Sequence, residues 1–124
     1  MPNAISWFEI PVLDFDRAKK FYETIFAAPF QAMKAGQTGP RLALFPVDFS
    51  QRVGGALACG PGYQPAREIA GSHGVQEGVK VYLSGGEDLG VILSRVEAAG
   101  GRVAVPKTQI SPEFGFMGAF VDTE

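Results

Sequence analysis

Ile5-Ser6-Trp7-Phe8-Glu9-Ile10-Pro11-Val12-Leu13-Asp14-Phe15-Asp16-Arg17-Ala18-Lys19-Lys20-Phe21-Tyr22 holds a strand, a turn and the start of a helix. Phe8, Ile10 and Val12 alternate with Trp7, Glu9 and Pro11, the period-two signal of a strand over 5–12 with two unlike faces. Asp14 then offers an N-cap, and Asp16 places negative charge where the helix dipole favours it. Ala18, Phe21, Tyr22 and Ile25 recur at helical spacing and make one apolar stripe. Pro29 stops that helix.

The pattern begins again near Gly78. Val79, Val81 and Leu83 alternate with Lys80 and Tyr82, and Gly85-Gly86 make a turn. Glu87 and Asp88 supply negative charge at a helix start, and Leu89, Ile92, Leu93 and Val96 form the stripe. Gly100-Gly101 end the helix, where a left-handed residue is needed. A shift of 71 residues carries Phe8, Ile10 and Val12 onto Val79, Val81 and Leu83. The same shift carries Ala18, Phe21, Tyr22 and Ile25 onto Leu89, Ile92, Leu93 and Val96. Agreement through strand, turn and helix reads as an internal repeat. Extended segments follow each helix: 30–34, 41–47 and 54–59 after the first, 102–107 and 116–122 after the second. The expected organisation is one α+β domain over 1–124, with a first unit at about 1–60, a connecting loop at 61–77 and a second unit at 78–124.

With 46% hydrophobic residues, 19% charged residues and 10 Phe, the 124-residue chain has the material for a core. The net charge is −2 with both signs scattered, and no basic patch interleaves with aromatics, which argues against nucleic acid as a partner. No apolar run approaches the roughly 20 residues that span a bilayer. Met1-Pro2-Asn3-Ala4 lacks the features of a signal peptide, and the single Cys59 cannot form an internal disulfide, so a reducing cytoplasm is expected. Cys59 has no evident base partner for a nucleophilic role, and Gly85-Gly86 lacks the further residues of a phosphate loop.

Several stretches together resemble the vicinal oxygen chelate superfamily, the glyoxalase/bleomycin-resistance/extradiol-dioxygenase group. They are Ile10 to Val12 followed by Asp14-Phe15-Asp16-Arg17-Ala18 and Phe21-Tyr22, then Val96-Glu97-Ala98-Ala99-Gly100-Gly101, and the closing Phe120-Val121-Asp122-Thr123-Glu124. The resemblance implies two tandem βαβββ modules curled into an open, cup-shaped barrel. The second module would lack its last strand, since the first unit's segment 54–59 has no counterpart before Glu124. It places metal ligands at the positions of Trp7 and Gly78 and within 54–59, where this chain has no carboxylate or imidazole. Indole and glycine side chains cannot hold a divalent cation, and the one histidine, His73, lies in the loop. No metal and no other cofactor is therefore expected.

Strand alternation turns Trp7, Glu9 and Pro11 into the cup from the first unit, and Lys80 and Tyr82 from the second. Trp7, Glu9, Lys80 and Tyr82 are thus the expected ligand-binding residues, an apolar pocket with few polar groups. Glu9 is the candidate catalytic residue, as a general base toward a carbon acid beside a carbonyl. A competing reading pairs it with Lys80, 71 residues on. The implied function is glyoxalase/bleomycin-resistance-like binding of a small organic molecule in the cup. The alternative is a lyase or isomerase for a small carbonyl compound, of metal-dependent glyoxalase or dioxygenase type or relying on Glu9; the residues leave open whether the chain is an enzyme. An unfilled sheet edge and the family resemblance both point to a homodimer.

Overall fold

The helix expected after Asp14 forms as α1, Phe15–Phe26, in the computed structural model, which describes residues 3–48, 50, 52–67 and 78–124. Asp14 caps it by accepting from the Arg17 amide at 3.1 Å. Its buried stripe is Phe15, Ala18, Phe21, Tyr22 and Ile25. The helix ends at Ala27 in the left-handed region, with Pro29 beyond it.

This stripe lies on a sheet made of β1 (Trp7–Pro11), β2 (Gln31–Lys34), β3 (Arg41–Leu44) and β4 (Gly54–Cys59), in the order β1-β4-β3-β2. β1 runs parallel to β4, pairing Trp7 with Gly54 and Glu9 with Ala56; β3 is antiparallel to both neighbours. The parallel pair requires a crossover, which α1, β2 and β3 provide. Phe8, Ile10 and Val12 face α1 as the alternation predicts, and join Ala43, Phe45 and Leu57 in the core beneath it.

The second half contributes α2 (Leu89–Val96), β5 (Arg102–Ser111) and β6 (Gly115–Val121), the last two an antiparallel pair. Asp88 caps α2 through the Gly90 amide at 2.9 Å. The helix closes through a bond from the Gly101 amide to the Val96 carbonyl at 3.0 Å. Both helices have a fully buried residue near their ends, Ile25 in α1 and Val96 in α2, each 0% exposed. Elsewhere α2 is only half-buried at Leu89, Ile92 and Leu93, because it lies on two strands where α1 lies on four.

The strand expected at Val79, Val81 and Leu83 does not form. Residues 79–83 carry no regular structure, and Val79 is 86% exposed. Alternation selects the faces of a strand, but a strand also needs hydrogen-bonding neighbours. β1 finds its neighbour in β4. Among the described residues the outcome is a mixed α+β fold with a four-stranded sheet and a two-stranded sheet, which do not close into a barrel. Among the described residues no helix is long and apolar enough to cross a membrane. Most of the 61–77 connection, including His73, lies outside the described residues.

The halves are joined by polar bonds as well as by packing. Arg95 donates to the Ile25 carbonyl at the end of α1, at 3.1 Å. The buried Tyr22 hydroxyl donates to Asp122 Oδ2 at 2.7 Å. Burial, then the Asp122 charge and this hydrogen bond, push the Tyr22 phenol well above its usual 10. A raised pKa stabilises the fold below the unfolded value, and that stability is lost as pH rises above about 10. Tyr22→Phe is expected to cost about 1–3 kcal/mol by removing the donor of Asp122. In urea melts from pH 8 to 11 it should also flatten the alkaline loss seen in the parent. An unchanged alkaline limb in the variant would refute this assignment.

Candidate functional site

Trp7, Glu9 and Pro11 lie on the sheet face opposite α1, by alternation from Phe8 and Ile10. The register puts Gly54, Ala56 and Ala58 of β4 beside them, and Leu42 and Leu44 of β3 beyond. Leu42, Ala56 and Ala58 form a small apolar cluster, with Leu44 and Tyr63 packed on it. The short side chains of β4 keep this floor low, and the aromatic groups stand around it.

Glu9 is the polar centre of the face. Trp7 donates its indole N–H to Glu9 Oε2 at 3.3 Å, and the Tyr63 hydroxyl donates to Oε1 at 2.9 Å. Each carboxylate oxygen thus accepts one hydrogen bond and keeps acceptor capacity for another, since an ionised carboxylate offers about four lone-pair sites. The hydrogen bond to Glu9 is the first cause of a raised Tyr63 phenol pKa, followed by burial and the Glu9 charge; the phenol therefore remains a donor at neutral pH. Trp7 is 41% exposed and Glu9 is also exposed, so the group is open to a ligand.

Of the residues singled out in the sequence, the structure brings Trp7 and Glu9 together. Lys80 and Tyr82 are exposed and outside any strand, Tyr82 by 67%, so the alternation that aimed them at a cup does not apply. Glu9 takes Trp7 and Tyr63 as its partners, with no ion pair to Lys80 among the described residues. Tyr63 was missed because it lies in the connecting loop. The Gly60-Pro61-Gly62 turn, closed by a bond from the Tyr63 amide to the Gly60 carbonyl at 3.1 Å, folds it back over β4. An aromatic residue directly after a Gly-Pro-Gly turn at a strand end was the available signal.

Of the positions that the family resemblance assigns to metal ligands, Trp7 lies on β1 beside β4, the segment 54–59, and Gly78 lies outside any strand. Trp7 and Gly78 offer no ligating atom and 54–59 has no carboxylate or imidazole, so these residues do not fit the metal that the resemblance implies. No group of three metal-ligating side chains occurs among the described residues. Cys59 is half-buried, with its thiol 3.5 Å from the Leu13 carbonyl. A separate groove of about 620 Å³ runs between α1 and the end of α2, with Arg17, Lys20 and Thr24 on one side and Ala98 to Gly100 on the other. Arg17 is already held there by Glu124 at 2.7 Å.

No family model and no curated protein matches the chain. Among solved structures, hypothetical protein SA1046 from S. aureus is similar, with a TM-score of 0.56 at 17% identity. The match covers 97% of this chain and 86% of that chain. At that identity the likeness concerns the fold alone.

Proposed function

We propose that this chain is a glyoxalase/bleomycin-resistance-like protein that binds a small organic molecule on the Trp7–Glu9–Tyr63 face without a metal. In this reading the two halves are tandem modules around an open cup. The observation that carries the binding role is Glu9, held by two donors on an apolar floor and still able to accept from a ligand. Aromatic rings beside a carboxylate suit a flat or cationic organic molecule with an N–H or O–H donor. The βαβββ order of the first half and its β1-β4-β3-β2 sheet support the family assignment. The alternative is a lyase or isomerase for a small carbonyl compound in which Glu9 is the general base.

Trp7 is the only tryptophan, so its fluorescence reports on this face. Titration with benzylamine is expected to change that fluorescence saturably, whereas benzoate is expected not to. Glu9→Gln should weaken benzylamine binding about tenfold, as loss of one charge-assisted hydrogen bond predicts. Equal responses to benzylamine and benzoate, or none to either, would overturn the role given to Glu9. Near-stoichiometric zinc, nickel, manganese or iron in freshly purified protein would overturn the metal-free reading.

A further inference from the structure

Ala56 and Ala58 are 0% exposed and Leu42 is 7% exposed, although all three lie on the sheet face turned away from α1. Short side chains on such a face stay dry only under a cover. Among the described apolar residues, the one from outside the sheet that packs on them is Tyr63. Its ring lies on this apolar floor, and its hydroxyl donates to Glu9 Oε1 at the rim, at 2.9 Å. Tyr63 thus fills the place that the binding role gives to a ligand. It also makes the two contacts expected of one, a buried ring and a donor to Glu9.

The cover is held more loosely than the floor. The floor belongs to β3 and β4, the two central strands, each hydrogen-bonded on both sides. Tyr63 is half-buried, and its bond to Glu9 is open to water, which competes for both groups and keeps the net worth of the bond small. The residue follows the Gly60-Pro61-Gly62 turn. Gly62 has a φ of +87° and no atom within 4 Å of the place of a Cβ, so the turn has both the backbone freedom and the room to rotate. Withdrawal of the ring would uncover apolar surface, and a ligand's own ring would cover it again.

We propose that Tyr63 is a built-in competitor for this site, and that a ligand binds by displacing it. The proposal rests on the binding role given to the Trp7–Glu9–Tyr63 face, and it names the ligand class. That class is a single aromatic ring with an O–H or N–H donor opposite its point of attachment, the shape of the side chain that leaves. The ring takes the floor of Leu42, Ala56 and Ala58, and the donor takes Glu9 Oε1. Trp7 keeps its bond to Oε2. A ring without a donor restores the burial but leaves Oε1 to water, so it binds less well.

p-Cresol is the Tyr63 side chain freed from its backbone, and isothermal titration calorimetry reads its binding. A site open for only a fraction of the time loses apparent affinity by that fraction, so removing the competitor should tighten binding. Tyr63→Ala is expected to bind p-cresol about tenfold more tightly than the parent, and Tyr63→Phe about threefold more tightly. Toluene should bind each about tenfold more weakly than p-cresol. Were Tyr63 a fixed wall of the site, Tyr63→Ala would bind p-cresol no better than the parent or less well, and either result overturns the proposal. Nuclear Overhauser contacts in the unaltered chain give a test that needs no variant. Those between the Tyr63 ring and the Ala56 and Ala58 methyls should vanish at saturating p-cresol and be replaced by contacts from the ligand; their persistence overturns the displacement. Benzylamine separates this proposal from the reading beneath it. Benzylamine binding to the parent, with no p-cresol binding to Tyr63→Ala, overturns the displacement and leaves the role of Glu9, whereas no binding of either compound to parent or variant overturns both.

Discussion

Phe21→Ala is expected to destabilise the protein by about 3–5 kcal/mol, the range for removing a buried phenylalanine from a packed core. Phe21 is 1% exposed and lies where the two halves meet. Its ring stands edge-on to Tyr22 at 5.0 Å between centroids and packs on Phe120 of β6 at 5.8 Å. It also covers Gly101, where an added Cβ would come within 2.7 Å of the ring and 2.6 Å of the Val121 carbonyl oxygen. Neither backbone segment can move in to fill the space easily, so most of the cavity cost should remain. Urea unfolding would show a lower midpoint with an unchanged slope. A loss below about 1.5 kcal/mol would mean that the space collapses or that the halves are packed together less tightly than described.

The second large effect is expected at Glu124. Its side chain is 0% exposed, although it belongs to the final residue of the sequence. Its Oε1 accepts from the Leu13 amide at 2.8 Å and the Asp14 amide at 2.7 Å. Its Oε2 accepts from Arg17 Nε at 2.7 Å and the Thr123 hydroxyl at 3.0 Å. The carboxylate thus joins the end of the second half to the turn that starts α1. It also sits at a helix N-terminus, where the dipole favours negative charge. Glu124→Ala would leave two amide donors unsatisfied, a cost of about 2–3 kcal/mol. Arg17 is half-exposed, so water would replace much of its lost pairing. Burial pushes the Glu124 carboxyl up, but the bonds from Arg17, Asp14, Thr123 and Leu13 outweigh it and hold it below the usual 4.5. A lowered pKa gives stability that is complete above the unfolded value and lost as pH falls below about 4.5. Denaturation at pH 7 and pH 3 should therefore bring Glu124→Gln and the parent closer together at pH 3. A gap of the same size at both pH values would show that the carboxylate charge contributes nothing.

Much of the local architecture was legible from spacing and caps. Asp14 starts α1, and Asp88 starts α2, as their positions ahead of the apolar stripes indicate. The segment read as extended at 54–59 is β4, and the segments at 102–107 and 116–122 contain most of β5 and β6. Of the site, Trp7 and Glu9 were legible because one strand supplies both, two residues apart on one face. Lys80 and Tyr82 lie in a segment without regular strand structure, so alternation does not fix which way they point. Tyr63 was not found because its contact with Glu9 spans 54 residues and depends on how one turn folds back.

The sequence by itself determined which residues are helical, where the helices begin, and which sides of β1 and α1 turn to the core. Those features follow from interactions within a few residues, so period and capping chemistry are enough to read them. Tertiary structure alone decided that the repeat at 79–83 is not a strand, that Glu9 binds Trp7 and Tyr63, and that Glu124 holds the start of α1. The contacts of Glu9 and Glu124 depend on partners distant in the chain, and side-chain periodicity carries no information about such partners.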